Sequence, residues 1–241
     1  MLPADGRPKH GNDPWTRGAG DGMMRRSMAR AEPHHFADCL IGRVRALGHP
    51  LCVGIDPYLE CIPPLFRRGD MARCAPATAD AVQEFCCRIV DLVADRVAVI
   101  KPQMALFEAL GWRGFRVLER VVQHARALGL LVVLDAKRGD IAATAAGYAA
   151  ACLGADAPLA VDAITVNPYL GCDTVAPFVA TAQTTARGVI VLVRNSNPGS
   201  TTYQYLQSPA GRLSEVVARS LAAIVAAVQR TTDELGAAVN G

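Results

Sequence analysis

Leu131-Val132-Val133-Leu134-Asp135-Ala136-Lys137-Arg138-Gly139-Asp140 is the stretch that decides the fold. An apolar run with two valines reads as a strand buried on both faces, the habit of parallel sheets. It passes directly into Asp135, Lys137, Arg138 and Asp140. If the chain is still extended there, Asp135 and Lys137 share a side, because strand side chains alternate. Taken alone, the cluster also fits an ordinary ion-pair group at a strand end. The remainder of the chain gives it more weight.

Working outward, strand-like and helix-like stretches alternate. Phe36 to Leu47 has helical spacing and stops at Gly48, and Leu51 to Asp56 reads as a strand closed by Pro57. A helix is expected over Thr78 to Ala94, then a strand Val97 to Ile100 ending on Lys101-Pro102. Gly114 to Leu128 is helical, Leu130 to Asp135 is the central strand, and about Ile141 to Leu153 is helical again. Leu159 to Val166 and Val189 to Val193 read as strands, with a helix near Asp173 to Thr184 between them. A long amphipathic helix from Leu213 to about Leu235 closes the pattern. No hairpin turn such as Asn-Gly separates the strands, so the chain reads as α/β, built from repeated right-handed βα units on a parallel sheet.

Two architectures compete, an open doubly wound sheet and a (β/α)8 barrel. The first strand ends in Asp56-Pro57-Tyr58 and carries neither glycine-rich phosphate fingerprint of the open-sheet nucleotide binders. Polar residues ending several strands instead match a barrel, whose active site is built at the C-terminal rim. The barrel is expected, with five strands legible of the eight that closure requires.

Composition narrows the function. The 241 residues are 51% hydrophobic with net charge +3 from mixed charges, which suggests neither nucleic acid nor a membrane surface as partner. No apolar run approaches the ~20 residues of a bilayer span, and no secretory signal layout is seen, so a cytoplasmic protein is expected. The eight cysteines form no C-x-x-C pair and lack a histidine at ligand spacing, which speaks against zinc and for small, reduced, partly buried residues. Residues 1–35, rich in Gly, Pro, Arg and Asp, read as a disordered leader.

On one barrel rim the strand ends would gather Asp56, Lys101, Asp135, Lys137 and Ser196. Spacing alone points to proton transfer by Lys137 held among carboxylates. A Schiff-base aldolase is a second reading, although an amine between two carboxylates stays protonated and suits a proton donor better than a nucleophile. A Mg²⁺ site on the acids is a third, opposed by the interleaved lysines.

Leu134-Asp135-Ala136-Lys137-Arg138-Gly139-Asp140-Ile141, followed by Thr144, resembles the signature of the orotidine 5'-phosphate decarboxylase family, in its bacterial D-A-K-R-G-D-I branch. The likeness extends to Val53-Gly54-Ile55-Asp56-Pro57, Ile100-Lys101-Pro102, Val166-Asn167-Pro168-Tyr169-Leu170-Gly171 and Arg194-Asn195-Ser196-Asn197-Pro198-Gly199-Ser200. These blocks stand in family order. The resemblance implies a TIM barrel homodimer that converts orotidine 5'-phosphate to UMP and CO₂ without metal or organic cofactor. Lys137 would protonate C6 and Asp135 would sit against the departing carboxylate. Lys101 and Asp56 would complete the charge array and hold the ribose hydroxyls. Asp140 and Thr144 would reach into the neighbouring subunit's site, while Ser196, in a loop with Pro198, would bond the pyrimidine. The family also carries three further βα units, with a P-G-x-G-A-Q-G-G loop and an arginine that hold the 5'-phosphate. Neither motif occurs here and Thr231 to Gly241 departs from the family pattern, so a C-terminally truncated barrel over residues 36–241 is expected.

Other readings are an inactive fragment of such an enzyme and a related phosphosugar decarboxylase on the same barrel. Asn167 and Tyr169 are expected to shape a Pro turn, Arg138 to make an ion pair away from ligand, and His34, His35 and His124 to have no role in chemistry.

Overall fold

A computed structural model describes residues 35–239. The expected leader over residues 1–35, and His34 with it, falls almost wholly outside them. Helix α1 (Phe36–Leu47) is followed by strand β1 (Cys52–Ile55), α2 (Pro76–Val93) and β2 (Val99–Pro102). A short α3 (Met104–Glu108), not anticipated from the sequence, precedes α4 (Trp112–Ala127) and β3 (Leu131–Arg138). Then come α5 (Ala142–Leu153), β4 (Ala163–Val166), α6 (Ala176–Thr185) and β5 (Gly188–Val191). After α7 (Ser200–Gln204), strands β6 (Gln207–Ser208) and β7 (Gly211–Arg212) form a small antiparallel hairpin ahead of α8 (Leu213–Val239). The sequence reading had no hairpin. Its turn is Pro209-Ala210, and neither strand has an apolar alternation to announce it.

Strands β1 to β5 pair in chain order, every pair parallel. Among the described residues this sheet is open, with β1 and β5 at its edges. It is the α/β arrangement expected, and five strands of it.

The two faces of the sheet bury different partners. Ile55, Ile100, Val132, Leu134, Ile164 and Val166 join the main core. Phe107, Leu118, Val121, Leu153 and Phe178 from the helices pack in that same core, and all five are buried. The opposite face carries a smaller cluster, Val99, Leu131, Val133 and Ala163, covered by Phe36, Cys39 and Leu40 of α1. The Phe36 amide also donates to the Ala186 carbonyl at 2.9 Å, which ties the start of α1 beside β5.

Close backbone approach demands glycine at positions 114 and 139. A Cβ on Gly114 would lie 1.8 Å from the Phe107 carbonyl oxygen, so α3 and α4 meet only because position 114 has no side chain. A Cβ on Gly139 would lie 2.7 Å from the Asn167 carbonyl oxygen, where the exit of β3 crosses the turn after β4.

Candidate active site

The small apolar cluster on the α1 side of the sheet fixes where charge emerges. Side chains two apart on a strand share a face. Lys101 lies two residues beyond Val99, Asp135 two beyond Val133, and Thr165 two beyond Ala163. Three adjacent parallel strands thus change from apolar to polar toward their C-terminal ends, β2 two residues earlier than its neighbours, since Val99 pairs with Leu131 and Gln103 bridges to Asp135.

Asp135 is the centre of what they form. It is 8% exposed, and four donors converge on its carboxylate. Oδ2 accepts from Lys101 Nζ at 3.0 Å and from Gln103 Nε2 at 3.0 Å. Oδ1 accepts from Lys137 Nζ in a short ion pair and from the Thr165 hydroxyl at 3.1 Å. Each oxygen therefore has one ammonium and one neutral donor. Burial pushes the Asp135 carboxyl toward holding a proton, but the hydrogen bonds and charges of Lys137 and Lys101 outweigh it and leave the group below its ordinary value.

The sequence placed Asp135 and Lys137 on one side by simple strand alternation, and the backbone corrects that account. Leu134 pairs with Ile164 and Arg138 with Val166, so three residues of β3 stand opposite one residue of β4. The two extra residues make a bulge. Lys137 has φ +48°, a left-handed conformation rare for a residue with a side chain. Its ammonium meets Asp135 through a bulge and not through an extended strand. The Thr165 hydroxyl sits in the bulge, accepting from the Ala136 and Lys137 amides at 2.9 Å each.

Lys101, Asp135 and Lys137 are thus brought together as the sequence suggested. Gln103 and Thr165 were missed. Gln103 had a usable signal, since it lies two beyond Lys101 on the same strand face. Thr165 had a weaker one, as a lone hydroxyl inside the apolar run Ala163–Val166.

Asp56 follows β1 and is exposed. Among the described residues no hydrogen bond or ion pair joins its carboxylate to the array. Asp140 Oδ1 accepts from the Ile141 amide at 2.8 Å, and Thr144 is exposed one turn into α5. Ser196 and Pro198 are exposed in the loop after β5. That loop is pinned by Asn195 and Gln204. The Asn195 amide donates to Gln204 Oε1, and Gln204 Nε2 to Asn195 Oδ1, each at 2.8 Å. A cleft of about 420 Å³ opens beside it, lined by Asn167, Tyr169, Asn195, Asn197 and Tyr203 among others.

Arg138 faces the helices. It pairs with Glu108 and lies 5.3 Å from the Tyr148 ring centroid, as befits a residue outside the array. The Tyr169 amide donates to Asn167 Oδ1 at 3.0 Å, a turn closed as the sequence indicated. His35 caps α1 through Nδ1, and His124 pairs with Asp91 at 2.6 Å. The cysteines are more varied than expected. Cys52, Cys61 and Cys74 are exposed, whereas burial raises the Cys87 and Cys152 thiols to about 11. Among the described residues no cluster of three or more His, Cys, Asp or Glu is placed to hold a metal, and no helix is long and apolar enough to cross a membrane.

Residues 49–233 match the orotidine 5'-phosphate decarboxylase / HUMPS family. An orotidine 5'-phosphate decarboxylase of Rhodopirellula baltica is 44% identical over 168 residues, covering 68% of this chain and 56% of the relative. One from Salinispora arenicola is 41% identical over 206 residues, covering 80% of this chain and 71% of the relative. The solved OMP decarboxylase of Leishmania donovani superimposes with a TM-score of 0.61 at 36% identity, over 76% of this chain and 63% of that one. The chain spans little more than half the length of the R. baltica relative. With a family match across most of its length and charged strand ends meeting on one carboxylate, this chain belongs to the orotidine 5'-phosphate decarboxylase / HUMPS family.

Proposed function

We propose that residues 36–241 form a decarboxylase domain that converts orotidine 5'-phosphate to UMP and CO₂ in pyrimidine biosynthesis. The observation that carries this reading is the engagement of both Asp135 oxygens by ammonium groups, Lys101 on one and Lys137 on the other. In the reaction the bond between C6 and the substrate carboxylate breaks. CO₂ leaves, and the electron pair stays on C6. Lys137 Nζ then delivers its proton to that carbon and regains one from water. Before that transfer, the ammonium stabilises the charge building on the ring.

Asp135 has two parts in this scheme. It fixes both ammonium groups, and its negative charge beside the substrate carboxylate disfavours the bound acid more than the neutral CO₂. Lys101 offsets that charge and, with Asp56, takes the ribose hydroxyls. Ser196 and Pro198 hold the pyrimidine from the loop after β5. Proton delivery by a lysine asks for neither metal nor organic cofactor. Asp140 and Thr144 complete the site of a second copy in a homodimer, and the enzyme works in the cytoplasm.

The test is the loss of orotidine 5'-phosphate absorbance with the purified chain and with Lys137→Ala. Turnover that falls about 10³-fold or more in the variant is expected. A folded wild-type chain without turnover would overturn the proposal, as would an active Lys137→Ala.

A further inference from the structure

We infer that Thr165 is a positioning residue: its hydroxyl holds the β3 bulge and so aims the Lys137 ammonium. Three hydrogen bonds meet on one oxygen. Oγ1 accepts from the Ala136 and Lys137 amides at 2.9 Å each, and it donates to Asp135 Oδ1 at 3.1 Å. The side chain belongs to a residue only 7% exposed. Lys137 is left-handed, a conformation that persists only where its surroundings impose it. The bulge that contains it has three residues facing one.

The bulge withdraws two amides from the β3–β4 ladder. Amides withdrawn from a ladder need another acceptor, and both find it in Thr165 Oγ1. A hydroxyl has two acceptor lone pairs and one proton. At Thr165 both lone pairs go to the bulge and the proton goes to Asp135. One side chain therefore fixes the backbone beneath Lys137 and the carboxylate that the Lys137 ammonium pairs with. Serine could make the same three bonds. Valine, of equal shape, could make none.

This inference rests on the reading of Lys137 as proton donor, so the experiment has one arm that needs no turnover. Full-length wild type, Thr165→Val and Thr165→Ser are compared by amide hydrogen exchange at Ala136 and Lys137, and by kcat and KM for orotidine 5'-phosphate. In Thr165→Val both amides should exchange about tenfold faster or more, while core amides such as that of Val132 keep their protection. In the same variant kcat should fall roughly 30-fold with KM changed less than about threefold, since only the reacting group is misplaced. Thr165→Ser should restore both. Unchanged exchange at the two amides in Thr165→Val overturns the inference, and so does a folded Thr165→Ser that fails as Thr165→Val does. If Thr165→Val does not fold, Thr165→Ser decides, with near-native exchange and kcat expected. If wild type shows no turnover, the proposed function fails and the amide exchange alone decides the role of Thr165.

Discussion

Lys101 Nζ stands 3.0 Å from Oδ2 of Asp135, joining an ammonium on β2 to a carboxylate on β3 across two neighbouring strand ends. Asp135→Asn keeps the shape but replaces one accepting oxygen with a donor. At least one of the four convergent donors then loses its acceptor, and two ammonium groups lose their counter-charge. The lysines are a third or more exposed, which screens the loss, so the expected destabilisation is about 1–2 kcal/mol. Urea denaturation measures it, and an unchanged midpoint would contradict the arrangement. Orotidine 5'-phosphate turnover in the same variant should fall about 100-fold or more.

The same carboxylate gives a dependence on acidity. Although burial opposes ionisation, Lys137 and Lys101 hold Asp135 below its ordinary value of 3.8. A group depressed in the folded state contributes stability that is present above its unfolded value and lost as pH falls through the folded one. Stability of wild type should therefore drop on acidification below about pH 4, and Asp135→Asn should drop less over the same range. Chemical denaturation at stepped pH makes the comparison. Parallel curves would show that the ion pairs contribute nothing.

Gly114→Ala tests the approach of α3 to α4. The added methyl would lie 1.8 Å from the Phe107 carbonyl oxygen, which is backbone and cannot swing aside. The helices must part, at an expected cost of about 1–3 kcal/mol. Phe107 is fully buried at that junction, so the shift also loosens the core. A thermal melt reads the effect, and an undisturbed midpoint would refute the close contact.

The proposal that Asp140 and Thr144 serve a second copy predicts complementation. Lys137→Ala and Asp140→Ala chains should each be nearly inactive alone. Mixed after unfolding and refolding together, they should recover about a quarter of wild-type turnover, because half of randomly paired dimers are mixed and each mixed dimer has one intact site. No recovery from a mixture shown to form mixed dimers would mean that each copy works with its own Asp140.

The charged strand ends were legible because apolar strand followed by charge is a pattern with a direct physical reading. Lys101, Asp135 and Lys137 needed only that and a parallel sheet to meet. The manner of meeting was not legible. A bulge two residues long leaves the alternation of side chains as an extended strand would have it, so the pattern around Ala136 carries no trace of it. Thr165 escaped notice for the related reason that its work is done on backbone amides, which no side-chain motif advertises. The start of β4 was placed at Leu159, four residues early. The Leu159 and Val161 amides donate to Ala151 and Cys152 of α5 instead of to the sheet, and apolar character alone does not distinguish those partners.

Strand order in the sheet is the order of synthesis, β1 through β5. Each βα unit emerging from the ribosome can dock on the unit completed just before it, with no gap held open for a later strand. Lys101, Gln103, Asp135, Lys137 and Thr165 have all been translated once β4 is made, and every bond among them lies within β2 to β4. The charged centre can thus assemble on the nascent chain, ahead of the hairpin and α8.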